Sequence, residues 1–156
     1  MQAGIYKKNG KEVYIYIKLM EVTMTNLITH VATIEIPVTK LERSLQFYVD
    51  VLGVEVHFKG EKNAMLTFKS KGIPTLFLVE TEERDRLAFR NTNTDVLHSI
   101  IDFYTPALKE LYEYLKEKKV EVGTLNVNET NGLGGFGFKD PDGNWLSACN
   151  ILHPGQ

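Results

Sequence analysis

Cysteine is nearly absent from this chain: Cys149 is the only one in 156 residues. One thiol excludes an intramolecular disulfide framework and a cysteine zinc cluster. An excess of charge of either sign is missing too. The chain has 18 Lys and Arg against 20 Asp and Glu, a net charge of −2. Without a basic excess to neutralise phosphates, no nucleic-acid partner is expected. No apolar run is long enough to span a bilayer, so no membrane partner is expected either. The opening stretch MQAGIYKKNGKEVYIYIKLMEV lacks the apolar core of a secretory signal, because Lys, Glu and Asn interrupt it. A cytoplasmic, reducing location is the expectation. What is present is a globular mix, 43% hydrophobic and 24% charged. Its length suits one compact domain or two small fused modules.

The pattern along the chain favours two modules. Residues 1–24 differ from the rest: Asn9-Gly10 between β-prone flanks is a two-residue hairpin signal. Met20 and Met24 follow, and the sequence after Met24 reads like a domain start. HVATIEIPV is a β-branched core strand. In TKLERSLQFYVDVLGVEV, Thr39 and Glu42 fit a capping box. Leu41, Leu45, Tyr48 and Leu52 fall on one helical face, and Gly53 is placed to end the helix left-handed. VEVHFK, AMLTFKS and TLFLVET are three further strands, giving β-α-β-β-β over 27–81. Residues 82–95 are polar and read as a linker. Over 96–152 the order repeats. VLHSIIDFY is a strand, and a helix follows with Thr105 as cap and Pro106 at its first position. VEVGTL, GGFGFKD and NWLSACNI are strands. The fold class is α+β: two tandem β-α-β-β-β modules with an N-terminal β-hairpin extension.

Two stretches carry a family resemblance over about 27–152. They are the helix with Ser44, Phe47, Tyr48, Leu52 and Gly53, and the Asp-Pro-Asp-Gly turn at 140–143. In this repeated frame the chain resembles the vicinal oxygen chelate superfamily, the group of glyoxalases, bleomycin-resistance proteins and extradiol dioxygenases. The resemblance implies two curled sheets forming an open cup. In metal-using members the first and last strands of each module place two His and two Glu around a divalent ion. Mapped onto this chain, those four positions fall on Thr33, Phe77, His98 and Ser147. One imidazole is too few ligands for a stable site. No metal is therefore expected at the usual positions. Relatives commonly form homodimers, and a homodimer is expected here.

Period-two alternation from those positions fills the cup with Glu35, Asp102, Trp145 and Cys149. Each has a plain structural reading beside the functional one. Asp102 either flanks the second helix or faces a ligand. Glu35 either pairs with a cation at a sheet rim or acts as a base. His98 is either a core histidine or a catalytic one. Cys149 reads as a small buried residue, since a nucleophilic role needs a depressed pKa. Trp145 either packs or stacks on a flat ligand. The glycines of GLGGFGF lack the context of a phosphate loop and read as giving a loop freedom over the cup. Four functions compete. The leading one is a metal-free binding protein for a small organic molecule, a basic or cationic one fitting best. The second is a lyase, isomerase or dioxygenase-type enzyme using His98 with Glu35 or Asp102 as acid–base pair. The third is a shifted Mn, Fe or Zn site built from His98, Glu35 and Asp102. The last is a docking role for the N-terminal hairpin.

Overall fold

A computed structural model of the chain describes residues 3–8, 11–16 and 27–153. The N-terminal strands β1 (Ala3–Lys8) and β2 (Lys11–Tyr16) pair antiparallel, with Ala3 opposite Tyr16 and Lys8 opposite Lys11. Asn9, Gly10, Met20 and Met24 lie outside the described residues.

From Val31 onward the chain forms a second compact unit. It begins with β3 (Thr33–Val38), α1 (Leu41–Leu52), β4 (Glu55–Lys59), β5 (Asn63–Thr67) and β6 (Thr75–Glu80). The four strands make one sheet in the order β3-β6-β5-β4, with β3 and β6 parallel. Its helix side is built by alternation: Ile36, Val38, Leu66, Leu76 and Leu78 are buried on it. Leu41, Ser44, Leu45 and Tyr48 line the buried stripe of α1. Gly53 ends the helix at φ 69°, as its position in the sequence suggested.

A hairpin follows, β7 (Phe89–Asn91) with β8 (Val96–His98). The second module is β9 (Ile101–Tyr104), α2 (Leu108–Glu117), β10 (Asn126–Val127), β11 (Gly134–Lys139) and β12 (Trp145–Cys149). Its sheet runs β10-β11-β12-β9, with β12 and β9 parallel. Phe136, Phe138, Leu146, Ala148 and Ile101 face the core with Leu108 and Leu115 of α2. The two β-α-β-β-β modules of the sequence reading are thus present. No described helix is long and apolar enough to cross a membrane.

Five local expectations change. The single strand over 96–104 breaks at Ser99 and Ile100, so only Ile101–Tyr104 joins the sheet. The polar linker contains β7, because the turn between Asn91 and Asp95 closes a hairpin: the Asp95 N–H donates to the Asn91 carbonyl at 2.8 Å, and Asp95 takes φ 59°. The Thr39–Glu42 capping box does not form. Lys40 holds the cap position without a side-chain bond, and the Leu41 N–H donates to Glu80 Oε2 at 2.9 Å. Thr105 and Pro106 precede α2 rather than start it, because the Thr105 N–H donates to the Cys149 carbonyl and continues the strand ladder. VEVGTL is not a strand; one Val122–Phe138 bridge and the short β10 replace it.

The Asp-Pro-Asp-Gly turn joins the two modules. Asp140 Oδ1 accepts from the backbone N–H groups of Asp142 and Asn144, both at 2.9 Å. Asp140 Oδ2 accepts from Asn144 Nδ2 at 2.7 Å and from the Tyr48 hydroxyl at 3.0 Å. Asp142 Oδ1 accepts from the Thr39 N–H at 2.8 Å and its hydroxyl at 2.6 Å. Ser44 and Arg43 of α1 also donate to the Asp142 carboxylate. Asn144 Nδ2 reaches the Pro37 carbonyl at 2.9 Å. A turn from the second module therefore anchors the first strand and helix of the first.

Candidate functional site

The alternation of β12 sorts its side chains. Leu146 and Ala148 are buried toward the core, while Trp145, Ser147 and Cys149 share the opposite, half-buried face. That face opens into a cleft of about 340 Å³. Among the side chains on it are His98, Ser99, Asp102, Trp145, Ser147 and Cys149. Five residues picked from the sequence therefore meet in one place. Thr33, Glu35 and Phe77 do not line this cleft. They lie on the first sheet, where Glu35 is opposite Phe77 and Thr33 opposite Thr75.

Ser147 sits at the centre of a hydrogen-bond chain. Its hydroxyl donates to Asp102 Oδ1 at 2.8 Å and lies 2.5 Å from the Ser99 hydroxyl. Ser99, not His98, is the residue beside Ser147 just before β9. The sequence reading missed it because the break at 99–100 shifts the side-chain alternation, and a lone serine gave no signal. His98 instead stacks on Phe89 at 5.2 Å between ring centroids and 14° between planes. Among the described residues no hydrogen bond or ion pair joins His98 to Asp102 or Glu35. Neither carboxylate has a cationic partner there.

Trp145 is seated by glycines. A Cβ on Gly137 would fall 2.3 Å from Trp145 Cζ2 and 2.6 Å from Cε2. One on Gly123 would fall 3.4 Å from Cη2. The indole therefore rests on bare backbone, and the closest of these approaches requires glycine. Gly134 is similarly pressed, with the Asn126 carbonyl 2.0 Å from its missing Cβ. Gly134, Gly135 and Gly137 all lie within β11. They serve close packing in a strand, which corrects the expectation that they free a loop over the cup.

Cys149 is half-buried and donates weakly to the Ile151 carbonyl at 3.7 Å. Burial pushes its thiol pKa up; the Ile151 contact opposes this, and the nearby Asp102 adds to it. A raised thiol pKa means little thiolate at neutral pH, which fits a packing residue and not a nucleophile.

The fold's metal positions can be tested against the donors present. Each sheet joins its first and last strands at the open face through a pair of hydroxyls. Thr33 Oγ1 and Thr75 Oγ1 are 2.9 Å apart in the first, and Ser99 and Ser147 form the pair in the second. Neutral hydroxyls that satisfy each other are poor divalent-metal ligands beside carboxylate or imidazole. Among the described residues no three His, Cys, Asp or Glu side chains are grouped to hold a metal ion. The shifted site of His98, Glu35 and Asp102, with Glu35 reaching across from the first module, is therefore not assembled among the described residues. The residues present do not fit the chelated ion.

Comparison with solved structures agrees with this architecture. A superfamily member from Sphaerobacter thermophilus DSM 20745 matches at TM-score 0.61 and 22% identity, over 78% of this chain and 97% of that one. A point mutant of the Listeria monocytogenes fosfomycin resistance protein FosX, complexed with Mn(II) and 1S,2S-dihydroxypropylphosphonic acid, matches at TM-score 0.62 and 17% identity, over 81% of this chain and 93% of that one. TnmS3, an antibiotic binding protein from Streptomyces sp. CB03234, matches at TM-score 0.59 and 22% identity, over 79% and 96%. At these identities the likeness shows the fold. No curated protein sequence gives a significant match. The family model for the Glyoxalase/Bleomycin resistance protein/Dioxygenase superfamily matches residues 27–147, and the chain belongs to that superfamily.

Proposed function

We propose that this protein binds a small organic molecule in the cleft beside Trp145, without a divalent metal at the fold's usual positions. The observation that carries the reading is a preformed cleft of about 340 Å³ that offers an aromatic face, a carboxylate and an imidazole but no grouped metal ligands. Its size lies at the small end of ligand pockets, roughly 300–1,000 Å³. Sequestration needs shape and stacking rather than proton transfer. TnmS3, of the same fold, is described as an antibiotic binding protein, which makes a binding role natural for the architecture. A thermal-shift screen of a small-molecule panel tests this. The expected result is saturable stabilisation by a subset of compounds that are recovered unchanged. Turnover of a bound compound would overturn the binding-only reading.

A second reading is supported by His98 and Asp102 lining the same cleft. It makes them an acid–base pair of a lyase or isomerase on a small carbonyl or diol compound. A His98→Ala variant that folds yet loses turnover would favour it; retained turnover would defeat it. The reading also includes a homodimer. Ile100 and Tyr104, 58% and 48% exposed on and beside the edge strand β9, are the apolar groups a partner copy would cover. Light scattering with chromatography should give twice the 17.7 kDa chain mass.

A further inference from the structure

We propose that the ligand taken by this cleft is a flat aromatic cation, seated on the Trp145 indole with its protonated nitrogen at Asp102. The inference rests on the binding function above and names its chemical class.

Three features select that class. The first is the floor. Trp145 lies against the backbone of Gly137 and Gly123, and a side chain at Gly137 would collide with its ring. Glycine in a strand interior costs stability against alanine, so the bed seats the indole against a local preference. The half-buried Trp145 is also one of the residues lining the cleft. An indole face binds flat π-systems and attracts cations. The second is charge. Asp102 is exposed to the cleft, and no Lys or Arg stands among the residues lining it. Among the described residues no cation pairs with the Asp102 carboxylate, whose other neighbour is the neutral Cys149 thiol. The Ser99–Ser147 pair holds Oδ1 and so fixes the carboxylate's orientation. An anionic ligand would meet repulsion with nothing to offset it. The third is size. About 340 Å³ admits a compound of one or two fused rings with a short arm.

Trp145 is the chain's only tryptophan, so intrinsic fluorescence reports from inside this cleft. The test pairs that signal with calorimetry on four probes: 1-naphthylmethylammonium, the neutral 1-naphthylmethanol, 1-naphthoate and the non-aromatic cyclohexylmethylammonium. The proposal expects the aromatic cation to bind about tenfold more tightly than the neutral alcohol, with the other two weaker still. Asp102→Asn, a substitution at an exposed side chain, should erase the preference for the cation while the alcohol's affinity stays. Gly137→Ala should weaken both aromatic probes, and circular dichroism shows whether each variant is folded. Equal or tighter binding of the alcohol or the naphthoate overturns the cation assignment and leaves small-molecule binding standing. Cyclohexylmethylammonium matching the aromatic cation overturns the stacking assignment. If no probe binds while the thermal-shift screen yields other ligands, the class is wrong and the binding function survives. If neither yields a ligand, both fail.

Discussion

Single carboxylates do very different things in this molecule. Asp142 has a fully buried side chain and accepts from Thr39, Ser44 and Arg43. Burial alone would raise its pKa, but those donors together hold it below the ordinary carboxylate value. A depressed folded-state pKa adds stability that is present above about pH 4 and is lost as pH falls through the lower folded value. Asp140 runs the other way. Burial raises its pKa against hydrogen bonds from Asn144 and Tyr48, so its protonation favours the fold as pH falls and offsets part of the loss. Asp142→Asn should therefore cost about 3 kcal/mol at pH 7, because it leaves buried donors poorly matched, and should flatten the fall in stability below about pH 4. Urea unfolding across a pH series checks both. At Cys149 the raised thiol pKa predicts alkylation by iodoacetamide at pH 7.5 slower than for a free thiol; a rate at or above the free-thiol value would restore a nucleophilic role.

The elements show where sequence signals act and where distant partners override them. Gly53 was legible because a left-handed helix end is a local need. No atom lies within 4 Å of where its Cβ would be. Gly53→Ala should therefore cost only the backbone strain, about 1 kcal/mol, measured as a small drop in unfolding midpoint. The Asp-Pro-Asp-Gly turn and the β12 alternation were legible for the same reason. The capping box was not. Thr39 has the right chemistry for a cap, but Asp142, 103 residues away, claims both its hydroxyl and its N–H. The split of VLHSIIDFY was hidden because β-branched and apolar residues continue through it, while the hairpin that captures Val96–His98 is set by a polar turn. Tyr48 ties α1 to the buried Asp140 through its hydroxyl. Tyr48→Phe should cost about 1–2 kcal/mol without altering the cleft, read as lower stability at unchanged ligand affinity.

At the scale of the whole molecule, the family's frame is kept, while no three His, Cys, Asp or Glu side chains among the described residues are grouped as an ion's ligands. The repeated modules, the turn that pins one to the other and the open face of the second sheet follow from the patterns in the sequence. The resemblance pointed to His98 and Ser147, and alternation from them to Asp102 and Trp145; all four line the one cleft. Ser99 and the glycine bed were not found in this way, since neither a lone serine nor a glycine announces what it will touch. Of the four positions where relatives hold an ion, Thr33 and Ser147 each meet another hydroxyl instead, one pair per sheet: Thr33 with Thr75 and Ser147 with Ser99. The most direct test of this account is the metal content of untagged protein by mass spectrometry, before and after incubation with Mn, Fe, Ni and Zn. The account predicts no metal at one equivalent per chain under any condition. One bound metal per chain, lost in His98→Ala, would contradict it and restore chelation of two neighbouring substrate oxygens as the working chemistry.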